Sequence, residues 1–305
     1  MQPLAGIRTY YIIHNSTCVT SALQTSEAII VLAKSTTKAT VIISVYRDAE
    51  ALRTIFDALA QQTVSDFSIL VSEDGASEEI ASVITNEQRF SSLTHLTQED
   101  IGFRKNRALN RAVASTETDW LIFIDGDCVP HCTFISAHIA HARRGIVTAG
   151  RRVELGPHWS NLLRQDSALL DSLNSYGWWW RHALSLHHDH TKGIELMLMP
   201  SSIGQRIKRK SSGLLGCNFG SHRDDLIAIN GFDERYCAPG IGEDSDIDWR
   251  LRHSGIEMIN VKFTALQWHL YHPRNYTTSE ENKLLLMKSK SEGALRAKIG
   301  IDRYL

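Results

Sequence analysis

Asp119-Trp-Leu-Ile-Phe-Ile-Asp125-Gly-Asp127 is the stretch on which the fold turns. Its five central residues are apolar without a polar interruption, the pattern of a strand covered on both faces. It stops abruptly at two carboxylates separated by a glycine. Toward the N-terminus, Ala39–Tyr46 and Phe67–Ser72 are further runs of the same kind, and a short strand is expected near Leu93–Leu96. Between them, residues 48–62 carry apolar side chains at helical spacing. A polar helix follows Gly75, and residues 104–115 read as a basic helix. Strands alternating with helices predict a mostly parallel, doubly wound α/β sheet. Such sheets bind ligands at the carboxyl ends of their strands, where the strand order reverses. Asp74, Asp125 and Asp127 all fall at such ends, so a polar ligand is expected there. Neither GxGxxG nor GxxxxGK[ST] follows the first strand, which argues against dinucleotide and P-loop chemistry.

Toward the C-terminus the character changes. Residues 156–212 hold Trp178-Trp-Trp180, the histidines His182, His187, His188 and His190, and the basic run Arg206–Lys210. Glu243-Asp244 opens a helix, with acids in the first turn where the helix dipole favours them. A strand is expected from Met258 to Trp268, leading to His269 and His272, and an amphipathic helix from about residue 279. The first 37 residues contain Tyr10–Ile13 and Ala28–Leu32, which read as edge strands or a docking segment. The expected organisation is an extension (1–37), a ligand-binding half (38–155), a second half (156–275) with an insert at 156–212, and a C-terminal helix (276–305).

Composition excludes several classes. Of 305 residues, 43% are hydrophobic and 22% charged, as in soluble globular proteins. Lys+Arg is 33 against 34 Asp+Glu, which gives no broad basic face for nucleic acid. The five cysteines show no redox or zinc-ribbon spacing, so a reduced, cytoplasmic chain is expected. No apolar run reaches the roughly 18 residues of a membrane span, and no signal peptide is read.

Asp125-Gly126-Asp127 has the spacing to grip a hard divalent cation that bridges phosphate oxygens; alternatively it is a loop with solvated acids. Glu243 and Asp244 serve as helix N-terminal acids, or as catalytic carboxylates raised by Asp246 and Asp248 in the same turn. By composition His269 and His272 are equal candidates for a ligand. The 187–190 histidines lack a partner pair for zinc. The three tryptophans read as core or interface rather than a sugar platform. Arg206–Lys210 is a solvated loop, or a contact for an anionic lipid surface.

The order of these motifs adds to their weight. Gln98-Glu-Asp-Ile-Gly-Phe-Arg-Lys-Asn-Arg-Ala-Leu-Asn110 followed by Ile124-Asp-Gly-Asp-Cys-Val-Pro130 resembles glycosyltransferase family 2, in particular the catalytic modules of bacterial chondroitin and hyaluronan polymerases. Gly216-Cys-Asn-Phe-Gly220, Gly231-Phe-Asp-Glu234 and Gly240-Ile-Gly-Glu-Asp244 resemble their second half and galactosyltransferases with a Gly-Gly-Glu-Asp motif. The resemblance spans about residues 39–275. It implies a GT-A fold with an acceptor-side helical insert, a UDP-sugar donor and Mn²⁺ or Mg²⁺. By the same resemblance Ser44, Tyr46 and Asp74 hold uracil and ribose, and Arg104 and Asn110 lie near the nucleotide. Asp125, Gly126 and Asp127 form the DxD site with Asp127 as direct metal ligand, and His269 matches the late histidine ligand better than His272. Asp244 is the implied base, and Glu243 contacts the sugar or acceptor. The implied partner is a glycan or lipid-linked glycan in bacterial surface polysaccharide or lipopolysaccharide synthesis, reached from the cytoplasm with or without peripheral membrane contact. Ser44, Arg47, Glu73, Ala76 and Gly240-Ile-Gly242 depart from the family pattern. Alternatives on the same fold are a nucleotidyltransferase and an inactive sugar-binding module.

Overall fold

The computed structural model describes residues 39–199, 203, 213–273 and 279–305. The expected segments at 10–13 and 28–32 and the basic run 206–210 lie outside the described residues. Ten strands are described: β1 Ala39–Val45, β2 Phe67–Glu73, β3 Leu93–Leu96, β4 Trp120–Asp125, β5 Cys128–Pro130, β6 Ile146–Ala149, β7 Arg151–Glu154, β8 Phe219–His222, β9 Glu257–Asn260 and β10 Leu266–His269. Seven form one sheet in the order β3-β2-β1-β4-β8-β6-β9. β1 lies parallel to both β2 and β4, with Ala39 opposite Phe67 and Trp120. β8 runs against both of its neighbours. The sheet is therefore mainly parallel, as the continuous apolar runs predict.

Those runs are continuous because both faces are covered. Along β1, Val41, Ile43 and Val45 pack into one apolar cluster with Leu52, Ile55 and Phe56 of helix α1 (Ala49–Ala60). Ile42 packs into the opposite cluster with Leu109 and Val113 of helix α3 (Lys105–Ala114). The intervening polar helix α2 spans Glu78–Asn86. Each such aliphatic side chain contributes about 1.5–3 kcal/mol on full burial. Asp48 starts α1 by accepting from the Ala51 N–H at 3.0 Å.

The expected single strand from Met258 to Trp268 is two. Asn260 Oδ1 accepts from the Lys262 N–H at 3.0 Å, an Asx turn, and Val261 O accepts from the Ala265 N–H at 2.8 Å. The turn sends β9 to the edge of the large sheet and β10 to the centre of a second sheet, β5-β10-β7. That small sheet has two unlike faces. Val129, Val153 and Trp268 are fully buried in the core. On the opposite face, in register, lie Cys128, His269 and Glu154.

Residues 157–198 are helical, in four segments Pro157–Gln165, Leu169–Leu173, Tyr176–His188 and Glu195–Leu198. The three tryptophans have separate fates. Trp179 is core, its indole N–H donating to Leu173 O at 2.7 Å, while Trp180 is exposed. Trp178 packs edge-on to Trp159 at 5.0 Å and stacks on His182 at 4.4 Å. Among the described residues no helix is long and apolar enough to cross a membrane.

Candidate active site

A cleft of about 610 Å³ opens at the carboxyl ends of β1, β2 and β4, lined by Ser44, Tyr46, Asp74, Phe103, Lys105, Asp125, Gly126, Asp127 and His272, among others. Main-chain bonds bind its floor together. The Gly126 N–H donates to Ser44 O at 2.7 Å and the Asp74 N–H to Val45 O at 3.0 Å. A Cβ on Gly126 would stand 3.0 Å from Ser44 O and 3.1 Å from Val45 Cα, so glycine at its centre lets the Asp-x-Asp loop seat on β1 without pushing that backbone aside. Asp74 accepts from Gln98 Nε2 at 2.6 Å and from the Arg104 N–H at 2.7 Å, which folds the loop before α3 over the cleft. Tyr46 is half exposed, with the Arg47 guanidinium 5.0 Å from its ring and paired to Asp100.

The end of β4 meets the end of β10. Asp127 Oδ2 lies 3.4 Å from His269 Nε2 and 3.3 Å from His272 Nε2. One ligand atom from each of the three residues lies within 4.8 Å of the others. Burial alone would raise the Asp127 carboxyl, but hydrogen bonds from His269 and His272 hold it well below the usual carboxylate range. Asp127 in turn raises His272. The sequence weighed His269 against His272; the structure brings both to one carboxylate. Asp125 faces elsewhere: its Oδ1 is 2.9 Å from Lys105 Nζ.

Lys105 also reaches Glu243 Oε1 at 3.1 Å, joining the strand-end acids to the helix Glu243–His253. Burial by itself would lower the ammonium, but Asp125, Glu243 and Asp244 hold it well above its ordinary value. Asp244 is pushed up to about 6, chiefly by burial and by Glu243, against the pull of Lys105 and the Gly216 N–H. A Cβ at Gly216 would stand 2.1 Å from Asp244 Oδ1, so glycine there lets the backbone approach the carboxylate. The expected cause of this elevation is corrected: Asp246 and Asp248 do not supply it. Asp246 is sealed by Arg250 at 2.6 Å and Tyr236 at 3.2 Å, and Asp248 pairs with Arg252 at 2.9 Å.

One expected nucleotide contact is corrected as well. Asn110 is fully buried, donates to Phe232 O at 2.8 Å and Glu234 Oε1 at 3.0 Å, and accepts from the Phe232 N–H at 2.8 Å. It ties α3 to the 230s loop instead of reaching the cleft. Arg104 serves Asp74 through its backbone N–H, and its guanidinium bonds Glu99 O. Sequence reasoning missed Lys105. The signal was a cation in the first turn of a helix, where the dipole disfavours it. It also missed Arg152 of β7, whose guanidinium lies 3.4 Å from Cys217 Sγ; burial by itself would lower it, but neighbours that include Asp125 and Asp127 raise it.

Residues 40–224 match the sequence model of Glycosyl transferase family 2, and residues 201–273 that of the N-terminal domain of galactosyltransferase. No curated protein sequence matches the chain. Among solved structures, S. aureus TarS is similar over 88% of this chain and 41% of its own length, at 14% identity and TM-score 0.51. The mannosyltransferase PcManGT from Pyrobaculum calidifontis, in complex with GDP-Man and Mn²⁺, aligns with 78% of this chain and 58% of its own length, at 16% identity and TM-score 0.49. The chain thus spans about half the length of these two. The mainly parallel seven-stranded sheet is that of the GT-A glycosyltransferases.

Proposed function

The chain belongs to Glycosyl transferase family 2, and we propose that it is an inverting, metal-dependent hexosyltransferase. It moves a hexose or N-acetylhexosamine from a UDP-sugar to a glycan hydroxyl, in the synthesis of a bacterial surface polysaccharide or lipopolysaccharide. The observation that carries the reading is geometric: Asp127 clusters with His269 and His272 at one sheet edge, and Lys105 joins the neighbouring Asp125 to Glu243 beside Asp244, with Asp127 held well below the carboxylate range and Asp244 raised to about 6. Two carboxylates with pKa values pushed apart have the poise needed for a charge-binding role and a proton-accepting role.

The donor set suits a divalent cation. Asp127, His269 and His272 offer one oxygen and two imidazole nitrogens, a mixture that favours Mn²⁺ over the all-oxygen preference of Mg²⁺. When bound, the cation offsets the charge of a diphosphate leaving group. Ser44, Tyr46 and Asp74 take the nucleoside in the cleft. Asp244 accepts the proton of the acceptor hydroxyl as the new O–C1 bond forms. The C1–O bond to the diphosphate breaks, and its electron pair leaves on the diphosphate oxygen. Attack opposite to that leaving group inverts the anomeric centre.

The test is release of UDP from a panel of UDP-hexoses and UDP-N-acetylhexosamines, with Mn²⁺, Mg²⁺ or EDTA. Metal-dependent release from at least one donor is expected. No release and no binding of UDP would favour the inactive sugar-binding module. The peripheral membrane contact is a separate part of the proposal. It rests on the run Arg206–Lys210 and is checked by co-sedimentation with anionic liposomes at low salt.

A further inference from the structure

Three carboxylates of the site share one cation. Asp125 and Glu243 are each within salt-bridge distance of Lys105 Nζ, and Asp244 adds to the field that raises it. Local structure gives no reason for a lysine here. Lys105 is the first residue of α3, whose N-terminal end repels a cation, and Arg104 before it provides no side-chain cap. The long-range pair offsets that cost, and it joins residues 138 apart in sequence. The Lys105 side chain is only 14% exposed and forms part of the cleft wall. The partner is unusual as well: Glu243 Oε2 is buried and without a hydrogen-bond partner among the described residues. One ammonium–Oε1 contact is thus all the polar support this carboxylate has among those residues.

We propose that Lys105 is a positioning residue for glycosyl transfer. Its ammonium ties Asp125, at the donor side, to Glu243, at the base side, and so sets where the Glu243–Asp244 pair stands relative to the donor sugar. This rests on the glycosyltransferase reading above. The role is one of geometry and charge between the two motifs, not of holding the diphosphate, which falls to the cluster of Asp127, His269 and His272. Without the ammonium, Asp125, Glu243 and Asp244 repel one another across the cleft and move apart. Around Asp244 the charged and titratable groups are Lys105 from α3, Asp125 from β4 and Glu243 from its own helix, with the Gly216 N–H opposite.

The experiment compares Lys105→Met and Lys105→Arg with wild type in three measurements. Calorimetry of UDP with Mn²⁺ should give affinities within about threefold of wild type, because the metal cluster is untouched. The kcat for metal-dependent release of UDP from a UDP-sugar should fall about 10²-fold in Lys105→Met, with KM nearly unchanged, as expected for a misplaced catalytic group. Lys105→Arg should recover part of that loss. The acid limb of kcat should move up by about one pH unit in Lys105→Met and stay in Lys105→Arg, since an opposite charge has been removed from beside the base. A merely structural lysine would lower the amount of folded protein without moving that limb. Should Lys105→Met not fold, Lys105→Gln, which keeps length and polarity, takes its place. Loss of UDP affinity in step with kcat would overturn the proposal and make Lys105 a phosphate ligand. So would an unchanged kcat or an unmoved limb. A wild-type chain that binds no UDP with Mn²⁺ overturns the glycosyltransferase reading itself, a result distinct from any of these.

Discussion

The end of β4 and the start of the helix Glu243–His253 are both short acidic motifs, and their surroundings drive them in opposite directions. At the end of β4, Asp127 faces two imidazoles and is held ionised well below its usual range. At the helix start, Asp244 is half-buried beside Glu243 and rises to about 6. The difference lies in what each acid meets: donors in one case, burial and a like charge in the other. Lys105 spans the gap between the two motifs. The contrast continues within the second motif. Asp246, two residues on, is fully buried yet structural, because Arg250 and Tyr236 satisfy it. Burial of a carboxylate marks it for chemistry only where its partners leave it short.

The largest effect that would break the contrast is on the base. Asp244→Asn should lower kcat by about 10²–10⁴-fold and leave UDP affinity with Mn²⁺ unchanged. Steady-state kinetics beside calorimetry checks this; a loss of UDP binding would move Asp244 to the donor side of the comparison.

On the other side, His269→Ala and His272→Ala should each weaken Mn²⁺ binding by at least about tenfold, read by Mn²⁺ titration and by the Mn²⁺ needed for half-maximal rate. Both imidazoles face the same carboxylate oxygen. If one variant keeps wild-type affinity, the cluster is a pair and not a triad.

The elevated acid predicts a pH dependence of definite sign. Since the base must be ionised, kcat should rise with pH through about 6 and level off above it. For stability the raised acid works the other way. Its contribution is present below the ordinary carboxylate pKa and is lost as pH rises through about 6. Asp244→Asn should therefore melt higher than wild type at pH 7 and level with it at pH 4. The half-buried position limits the gain to about 1 kcal/mol, or a few degrees in Tm. Thermal scans at the two pH values decide; equal differences at both would remove Asp244 as the source.

The smallest effect tests the residue that left the site. Asn110→Ala should cost about 1–3 kcal/mol of stability, as buried partners lose their bonds, and UDP affinity should not change. Denaturant unfolding with calorimetry separates the two; weakened UDP binding in a fully folded variant would return Asn110 to the cleft.

Much of the molecule can be read from the chain alone, and what cannot has definable causes. Strands β1, β2 and β4 announce themselves because both faces are buried, which turns alternation into largely apolar runs such as Trp120–Ile124. Acids at the ends of two of them point to the ligand edge. The small sheet does not announce itself. Its strand β5 has three residues, one of them Pro130, and in the large sheet β8 is just as hard to read, being Phe219-Gly-Ser-His with no apolar run. The Asx turn at Asn260 is hidden inside a stretch that otherwise reads as strand. Within the site, acid types and positions were legible but their partners were not. The i,i+4 spacing of Asp246 with Arg250 and of Asp248 with Arg252 could have removed both acids from consideration. Lys105 could not have been joined to Glu243 without the fold.

The account stands most directly on where a divalent cation and a nucleoside diphosphate bind. Crystals grown or soaked with Mn²⁺ and UDP, measured at the manganese absorption edge, answer this in one anomalous map. The predicted result is a single strong peak bounded by Asp127, His269 and His272, with UDP in the cleft beside Tyr46 and Asp74. A peak elsewhere, or UDP density outside this cleft, would contradict the account.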